Sequence, residues 1–248
     1  MRGIARTGLV ACVALVLTAA APVSIHGVGQ DASALSDAIE HLIRDDLDLD
    51  TVTFQIAGTE ATLSGRVPTL WIKTQAVDKV LALDGVETVA TELTIPEVED
   101  DDEIAQAVGS AIRRYRHNTI WDYVGGSVVD GVVTLTGSVT PDRDKPAELF
   151  ERVAKISGVQ DITLEITRQS SSRRDRDLRT VIAQRVRRHP TFVQYAIVPD
   201  SPFRILVDEG VVTLVGSVRS PVEKQVLEQI ARQAFEVVRV VNLLQAGG

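Results

Sequence analysis

The sequence predicts an α+β protein built from three tandem small units, each of order α-β-β-α-β. Two observations carry this prediction. First, Val132-Val133-Thr134-Leu135-Thr136-Gly137-Ser138-Val139 comes back almost unchanged as Val211-Val212-Thr213-Leu214-Val215-Gly216-Ser217-Val218, and a looser copy stands earlier as Ala61-Thr62-Leu63-Ser64-Gly65-Arg66-Val67. Second, each copy follows an alternating apolar stretch and precedes apolar residues at helical spacing, so one supersecondary module recurs.

Residues 1–21 read as a targeting segment. Arg2 and Arg6 give a positive start, an apolar run extends from Leu9 to Ala21, and Ala19-Ala20-Ala21 offers an A-x-A cleavage site before Pro22. The run is short for a bilayer span, so a cleaved secretory signal peptide and a periplasmic or secreted mature chain are expected. Leu9-Val10-Ala11-Cys12 looks like a lipoprotein acylation box, but the apolar run continues past it; acylation at Cys12 is the alternative. Cys12 is the only cysteine. A chain cleaved after Ala21 therefore has no disulfide, no thiol catalysis and no Cys-based metal site.

Residues 22–33 are small and polar, and are expected to be a flexible lead-in. The first unit spans 34–96. Leu35, Ile39, Leu42, Ile43 and Leu47 recur at helical spacing; Val52, Phe54 and Ile56 alternate; Gly58-Thr59 turns into the strand ending at Gly65. Ala76, Val77, Val80 and Leu81 form a second helical stripe, stopped at Asp84-Gly85, and Val86 to Ile95 supply a last strand. The acidic run Glu97–Glu103 is expected to be a solvated linker. The second unit, 102–167, repeats the order, with Asp130-Gly131 turning its hairpin and Ser157-Gly158 stopping its second helix. Arg168–Arg176 is expected to be a second linker. The third unit, 177–245, turns its hairpin at Glu209-Gly210. It starts its second helix at Ser220-Pro221-Val222-Glu223, a capping hydroxyl with Pro at the first helical position and Glu three residues after the cap. Glu236 stands where Gly85 and Gly158 stand, so that turn either changes geometry or puts a non-glycine into a glycine-favoured one.

Gly65, Gly137 and Gly216 each end an apolar strand. The expected reason is that a helix or a neighbouring strand leaves no room for a Cβ. A single glycine in x-Leu-x-Gly-x-Val is no phosphate cradle.

These residues resemble the BON domain (bacterial OsmY and nodulation). The resemblance rests on Gly131 to Val139 with Ser157-Gly158-Val159, on Gly210 to Val218, and on Leu63 to Val67 with Asp84-Gly85-Val86. It implies, for each unit, a three-stranded mixed sheet covered by two helices. It also implies a periplasmic cell-envelope protein, often linked to osmotic or other stress, that binds phospholipid and has no catalytic residues. Glu236 and the missing Asp-Gly turn before Ala61 depart from the pattern.

Charge locates a candidate site. Residues 34–96 hold 4 basic and 11 acidic side chains, net −7; 102–167 hold 7 and 10, net −3; 173–245 hold 12 and 8, net +4. The chain as a whole is at −8, which argues against nucleic acid as partner. The basic end is expected to meet an anionic phospholipid surface, through Arg173, Arg174, Arg185, Arg187 and Arg188, at roughly 1 kcal/mol per charge near the surface. A solvated helix face is the alternative. Trp71, near the start of the first unit's second helix, is a candidate interfacial anchor or a packing residue; at the same offset from the strand glycine the other units carry Arg143 and Val222. Arg113 to Tyr123 echoes Arg187 to Tyr195, sharing His-x-Thr, two apolar residues, a polar residue and Tyr. The echo either closes the core or forms an aromatic-basic rim for lipid or glycan. His41, His117 and His189 lie on different units, so no metal site is expected, and no cofactor either. No nucleophile or paired-carboxylate motif is present. The expected function is non-enzymatic binding at the envelope; a scaffold joining an envelope protein partner or further copies of the chain is the other reading.

Overall fold

In the computed structural model, which describes residues 28–96, 100–196 and 201–247, the three units are present as mixed α+β modules. Unit one comprises α1 (Val28–His41) continuing into a wider π-helical turn (Leu42–Asp46), β1 (Val52–Ala57), β2 (Glu60–Arg66), α2 (Leu70–Leu81) and β3 (Thr88–Thr94). Unit two comprises α3 (Asp101–Arg113), β4 (Tyr123–Val129), β5 (Val132–Val139), α4 (Lys145–Ala154) and β6 (Asp161–Arg168). Unit three comprises α5 (Arg173–Arg188), a 3₁₀ turn (Val193–Ala196), β7 (Phe203–Asp208), β8 (Val211–Val218), α6 (Pro221–Arg232), β9 (Arg239–Asn242) and β10 (Gln245–Ala246).

Each repeated strand is the central one of its sheet. It pairs antiparallel with the strand before it and parallel with the strand after the second helix. One face of the central strand is buried: Ala61 and Leu63, Val133 and Leu135, Val212 and Leu214 are all 0% exposed. The intervening residues face outward, as a half-buried strand requires. β9 and β10 keep a single register against β8 and are one strand interrupted at Leu243-Leu244.

The strand glycines are explained by the neighbouring strand. A Cβ on Gly65, Gly137 or Gly216 would overlap the carbonyl oxygen of Thr51, Tyr123 or Pro202, the residue that opens or just precedes the antiparallel partner. Their φ angles of 135°, 139° and 99° also lie where L side chains are strained. The second set of glycines works differently. Gly85 (φ 95°) and Gly158 (φ 85°) lie in the turns that follow their helices, and Glu236 takes the same left-handed conformation at φ 71°. Unit three thus keeps the turn and bears the strain.

The hairpin turns are pinned from the first helix. Asp130 and Gly131, both at positive φ, donate their N–H groups to Asp101 Oδ2 and Oδ1 at 2.8 and 2.9 Å. Glu209 and Gly210 donate likewise to Asp175 Oδ2 and Oδ1 at 3.0 and 2.8 Å. Positive φ at both central residues suits a tight two-residue hairpin, and the carboxylate satisfies two N–H groups that no strand can reach.

Three expectations change here. The lead-in 22–33 is helical from Val28 onward, since a single Gly29 weakens a helix without ending it. The acidic linker becomes the start of α3: Asp100 Oδ1 accepts from Asp102 N at 2.8 Å, and Asp101–Glu103 form the first turn, where acids oppose the helix dipole favourably. Residues 97–99 and the targeting segment lie outside the described residues. The second linker shrinks to 169–172. Arg168 belongs to β6, Ser172 caps α5 by accepting from Asp175 N at 3.1 Å, and Arg173 is already helical.

The units are packed, not strung. Buried apolar residues of units one and two form one continuous cluster. Trp71 of α2 is partly buried there, with Lys155 Nζ 5.0 Å above its ring, and Gln160 Nε2 reaches Pro96 O at 3.2 Å. Unit two also seals the edge of unit three. Ile205 N of β7 donates to Ile120 O at 2.8 Å and Val207 N donates to Gln169 Oε1 at 3.2 Å, while Arg179 Nη2 of unit three's own α5 donates to Val207 O at 2.6 Å.

Gly137→Ala should therefore destabilise unit two by about 3 kcal/mol or more, whereas Glu236→Gly should stabilise unit three by about 1 kcal/mol. Denaturant titration of both variants checks the two signs together.

Candidate functional site

Helix α5 gathers the arginines singled out from the sequence. Arg173 and Arg174 sit in its first turn and Arg185, Arg187 and Arg188 in its last, about 20 Å apart at 1.5 Å per residue. Its buried side is Asp175, Leu178, Arg179, Ile182 and Val186. With 3.6 residues per turn, Arg173, Arg174, Arg176, Arg187 and Arg188 all fall on the opposite, exposed arc, with half-buried Arg185 at its margin. Asp177 is the acid on that arc, 3.8 Å from Arg173. Trp71 does not join them; it packs at the junction of units one and two.

Not every basic residue in this stretch faces solvent. Arg179 is 9% exposed and is used in the junction with unit two, where Gln169 Oε1 also accepts from it at 3.1 Å. Arg174 Nε donates to Glu236 O at 3.1 Å and ties the start of α5 to the turn after α6. At the other end, Tyr195 OH donates to Glu223 Oε2 at 2.9 Å, and Glu223 also accepts from Arg219 N at 2.8 Å. The anticipated capping residue thus binds a tyrosine as well as the backbone before the cap. These contacts set α5 and α6 antiparallel on one face of the sheet. Burial and the neighbouring Glu223 carboxylate raise the Tyr195 pKa. Unit two repeats the device, with Tyr115 OH donating to Glu148 Oε2 at 2.7 Å. The structural counterpart of Tyr195 is therefore Tyr115, which is 2% exposed; Tyr123, the match in the sequence echo, is 45% exposed at the start of β4.

The two echoed segments meet across a cleft between units two and three. A cavity of about 300 Å³ is lined by Ile120, Trp121, Val186, Arg187, Phe203 and Arg204 among others. A second, of about 360 Å³, shares Asn118 and Arg204 with it and adds Arg113 and Tyr123. No Asp or Glu is among the described residues lining either. Asn118 Oδ1 is buried there without a hydrogen-bond partner among the described residues. Apolar walls with basic groups at the mouth suit an anion carrying an apolar tail. The sequence signal was the Arg113/Arg187 echo itself; Asn118 and Arg204 left none that spacing could reveal.

Unit two also hides a charge cluster that the repeat obscured. Between Val139 and the start of α4 it has three more residues than unit three has between Val218 and α6, and this insertion places Lys145, 1% exposed, against Asp122, also 1% exposed. Lys145 Nζ donates to Asp122 Oδ2 at 2.8 Å and to Thr140 Oγ1 at 2.6 Å, and Asp122 also accepts from Thr119 N and Thr140 N. The insertion moves Arg143 ahead of its helix, so the helical counterpart of Trp71 in unit two is Pro146. The cluster is fully partnered, and it fixes the loop that carries Ile120 and Trp121 into the cleft.

The arrangement defines a tandem αββαβ protein with a basic helical face. The profile of the BON domain matches residues 31–97, 100–169 and 174–248, and the chain belongs to the BON domain family. BON domains are associated with envelope and periplasmic proteins and with phospholipid binding, and the family is generally non-catalytic. No curated protein matches the chain. Two solved structures of CdsD, a structural protein of the type III secretion system of Chlamydia trachomatis, are similar to it. One, the C-terminal domain, is 15% identical, covering 91% of this chain and 100% of that one with a TM-score of 0.23. The other is 16% identical, covering 86% and 93%, with a TM-score of 0.24. No helix among the described residues is long and apolar enough to cross a membrane, and no cluster among them could hold a metal ion.

One pH dependence follows from Asp175. Burial raises its pKa, but the hydrogen bonds from Ser170, Gly210 N–H, Ser172 and Glu209 N–H outweigh burial and leave it below the usual carboxylate value of 3.8. A depressed folded-state pKa contributes stability above the unfolded value and loses it as pH falls through the folded one. Between about pH 4 and pH 2, the stability of unit three should therefore fall less steeply in Asp175→Asn than in the unsubstituted chain, as read by urea midpoints across that range.

Proposed function

We propose that this chain is a non-catalytic, exported cell-envelope protein that binds anionic phospholipid headgroups through the exposed arc of α5. One observation carries the reading. A chain of net charge −8 collects Arg173, Arg174, Arg176, Arg187 and Arg188 on the outward side of a single helix, with one acid among them. Among the described residues no carboxylate pairs with Arg185, Arg187 or Arg188.

Fold stability accounts for only part of that pattern: Arg187 and Arg188 suit the last turn of α5, and Arg174 holds the turn at Glu236. Arg173, Arg174 and Arg176 lie in or next to the first turn of α5, where positive charge opposes the helix dipole at a few tenths of a kcal/mol each. An anionic surface reverses the sign of that contribution. Units one and two carry net negative charge, which orients the molecule with unit three toward the lipid. The cleft adjoining Arg187 then lies beside the surface and offers apolar walls to part of a bound lipid.

The test uses the chain from Pro22 onward, which holds every described element, sedimented with phosphatidylglycerol and with phosphatidylcholine vesicles at low and high salt. Binding is expected to the anionic vesicles alone and to weaken as salt rises. The triple variant Arg173→Glu, Arg187→Glu, Arg188→Glu is expected to bind at least tenfold more weakly, at roughly 1 kcal/mol per charge near the surface, with an unchanged denaturation midpoint. Arg174 is left intact because it holds the turn at Glu236. Self-association without any lipid binding would favour a protein scaffold instead.

A further inference from the structure

The turn between α6 and β9 differs in kind from its two counterparts. Gly85, Gly158 and Glu236 occupy the same left-handed position, with φ of 95°, 85° and 71°. The residue before it is Asp84 in unit one, Ser157 in unit two and Phe235 in unit three; the residue two places after it is Glu87, Gln160 and Val238. Units one and two thus present polar side chains there. Both later residues have partners: Glu87 accepts from Thr59 Oγ1 at 3.1 Å, and Gln160 bridges to unit one. Unit three presents Phe235, 82% exposed, and Val238, 64% exposed.

Neither side chain belongs to the core cluster, yet the fold holds the turn firmly. Val238 N donates to Gly210 O at 2.9 Å, and Arg174 is bonded to Glu236 O. Val237, between them, packs on the core. The backbone is fixed on both sides, and the two apolar groups project from the end of the helical layer. That end is also where α5 begins: Arg174 reaches Glu236 O and lies with Val238 over Gly210, and Arg239 follows directly in the chain. Glu209 and Glu236 are acids at this tip, and Asp177 pairs with Arg173. The same layer carries the arginine arc onward to Arg187 and Arg188.

We infer that Phe235 and Val238 form an apolar prong that inserts into the acyl boundary of an anionic bilayer while the arginines of α5 hold its headgroups. The inference rests on the lipid-binding reading above and names the part of unit three that leaves water. The occupant is a bilayer because the prong is edged by the arginine arc. Apolar residues projecting beside basic ones satisfy an interface that is apolar below and anionic above. The prong adds a contribution that salt does not screen, so part of the binding to anionic vesicles should survive salt that would remove a purely electrostatic contact.

The test again uses the chain from Pro22, which contains no cysteine. Phe235→Cys is labelled with a polarity-sensitive fluorophore and titrated with phosphatidylglycerol vesicles, some carrying brominated acyl chains. Insertion is expected to shift the emission to the blue and to let the bromines quench it. Phe235→Ser, at an exposed position, should keep its denaturation midpoint and bind anionic vesicles about tenfold more weakly. If the unsubstituted chain binds but the label stays in water and Phe235→Ser binds equally well, the prong is overturned and headgroup binding stands. If the unsubstituted chain binds no anionic vesicles, both readings fall.

Discussion

The central strand of each unit can lie against its hairpin partner only because a glycine replaces a side chain where the partner's first carbonyl crosses it. At Gly65, Gly137 and Gly216 a Cβ would overlap a backbone oxygen, and backbone cannot move aside as a flexible side chain can. That contact fixes the hairpin register. The register decides which face of the strand is buried, and hence where the two helices must sit. The carboxylates of Asp101 and Asp175 then lock the far end of two hairpins from the first helix. A unit is thus held at both ends of one strand pair, with Ala, Val, Leu and Ile filling the space between.

Units of about 65 residues bury little core when alone, and the packing between them follows from that. Units one and two merge their apolar clusters. Unit two closes the β7 edge of unit three with Ile120 O and Gln169, which removes a strand edge that would otherwise pair with other chains. The buried Lys145–Asp122 cluster contributes to this indirectly. A buried ion pair adds little net stability, but its hydrogen bonds hold the loop that carries Ile120 and Trp121 to unit three. Because the junction uses β7 and the buried side of α5, the outer side of α5 and the end of α6 remain exposed.

Much of this was legible in the sequence. Two near-identical strands and a looser third copy, each with its glycine, two hairpin turns and the Ser220 helix start all lie in local patterns, and the structure has them where the patterns place them. Charge runs misled at both linkers, because local acidity and basicity do not distinguish a solvated tether from a helix start. Asp101 and Asp175 look like linker residues until a hairpin some thirty residues away is brought to them. The Tyr123 echo misled for a related reason: sequence similarity aligned it with Tyr195, while the pairing with a carboxylate on the second helix belongs to Tyr115. The Asp122–Lys145 pair and the Asn118 cleft depend on contacts between distant segments, and periodicity carries no information about those. Glu236 breaks the glycine pattern of the repeat in the sequence itself, and the exposed Phe235 stands beside it.

One helical layer thus carries the arginines and an apolar tip on its exposed side. The same asymmetry explains why an acidic protein has one basic unit and why that unit alone replaces polar turn residues by Phe and Val. Hydrogen–deuterium exchange of the chain from Pro22, with and without phosphatidylglycerol vesicles, tests this account most directly. Slowed exchange confined to α5, α6 and the turn at 235–238 is the predicted result. Protection centred on units one and two, or no change in α5 while the protein is vesicle-bound, would contradict it.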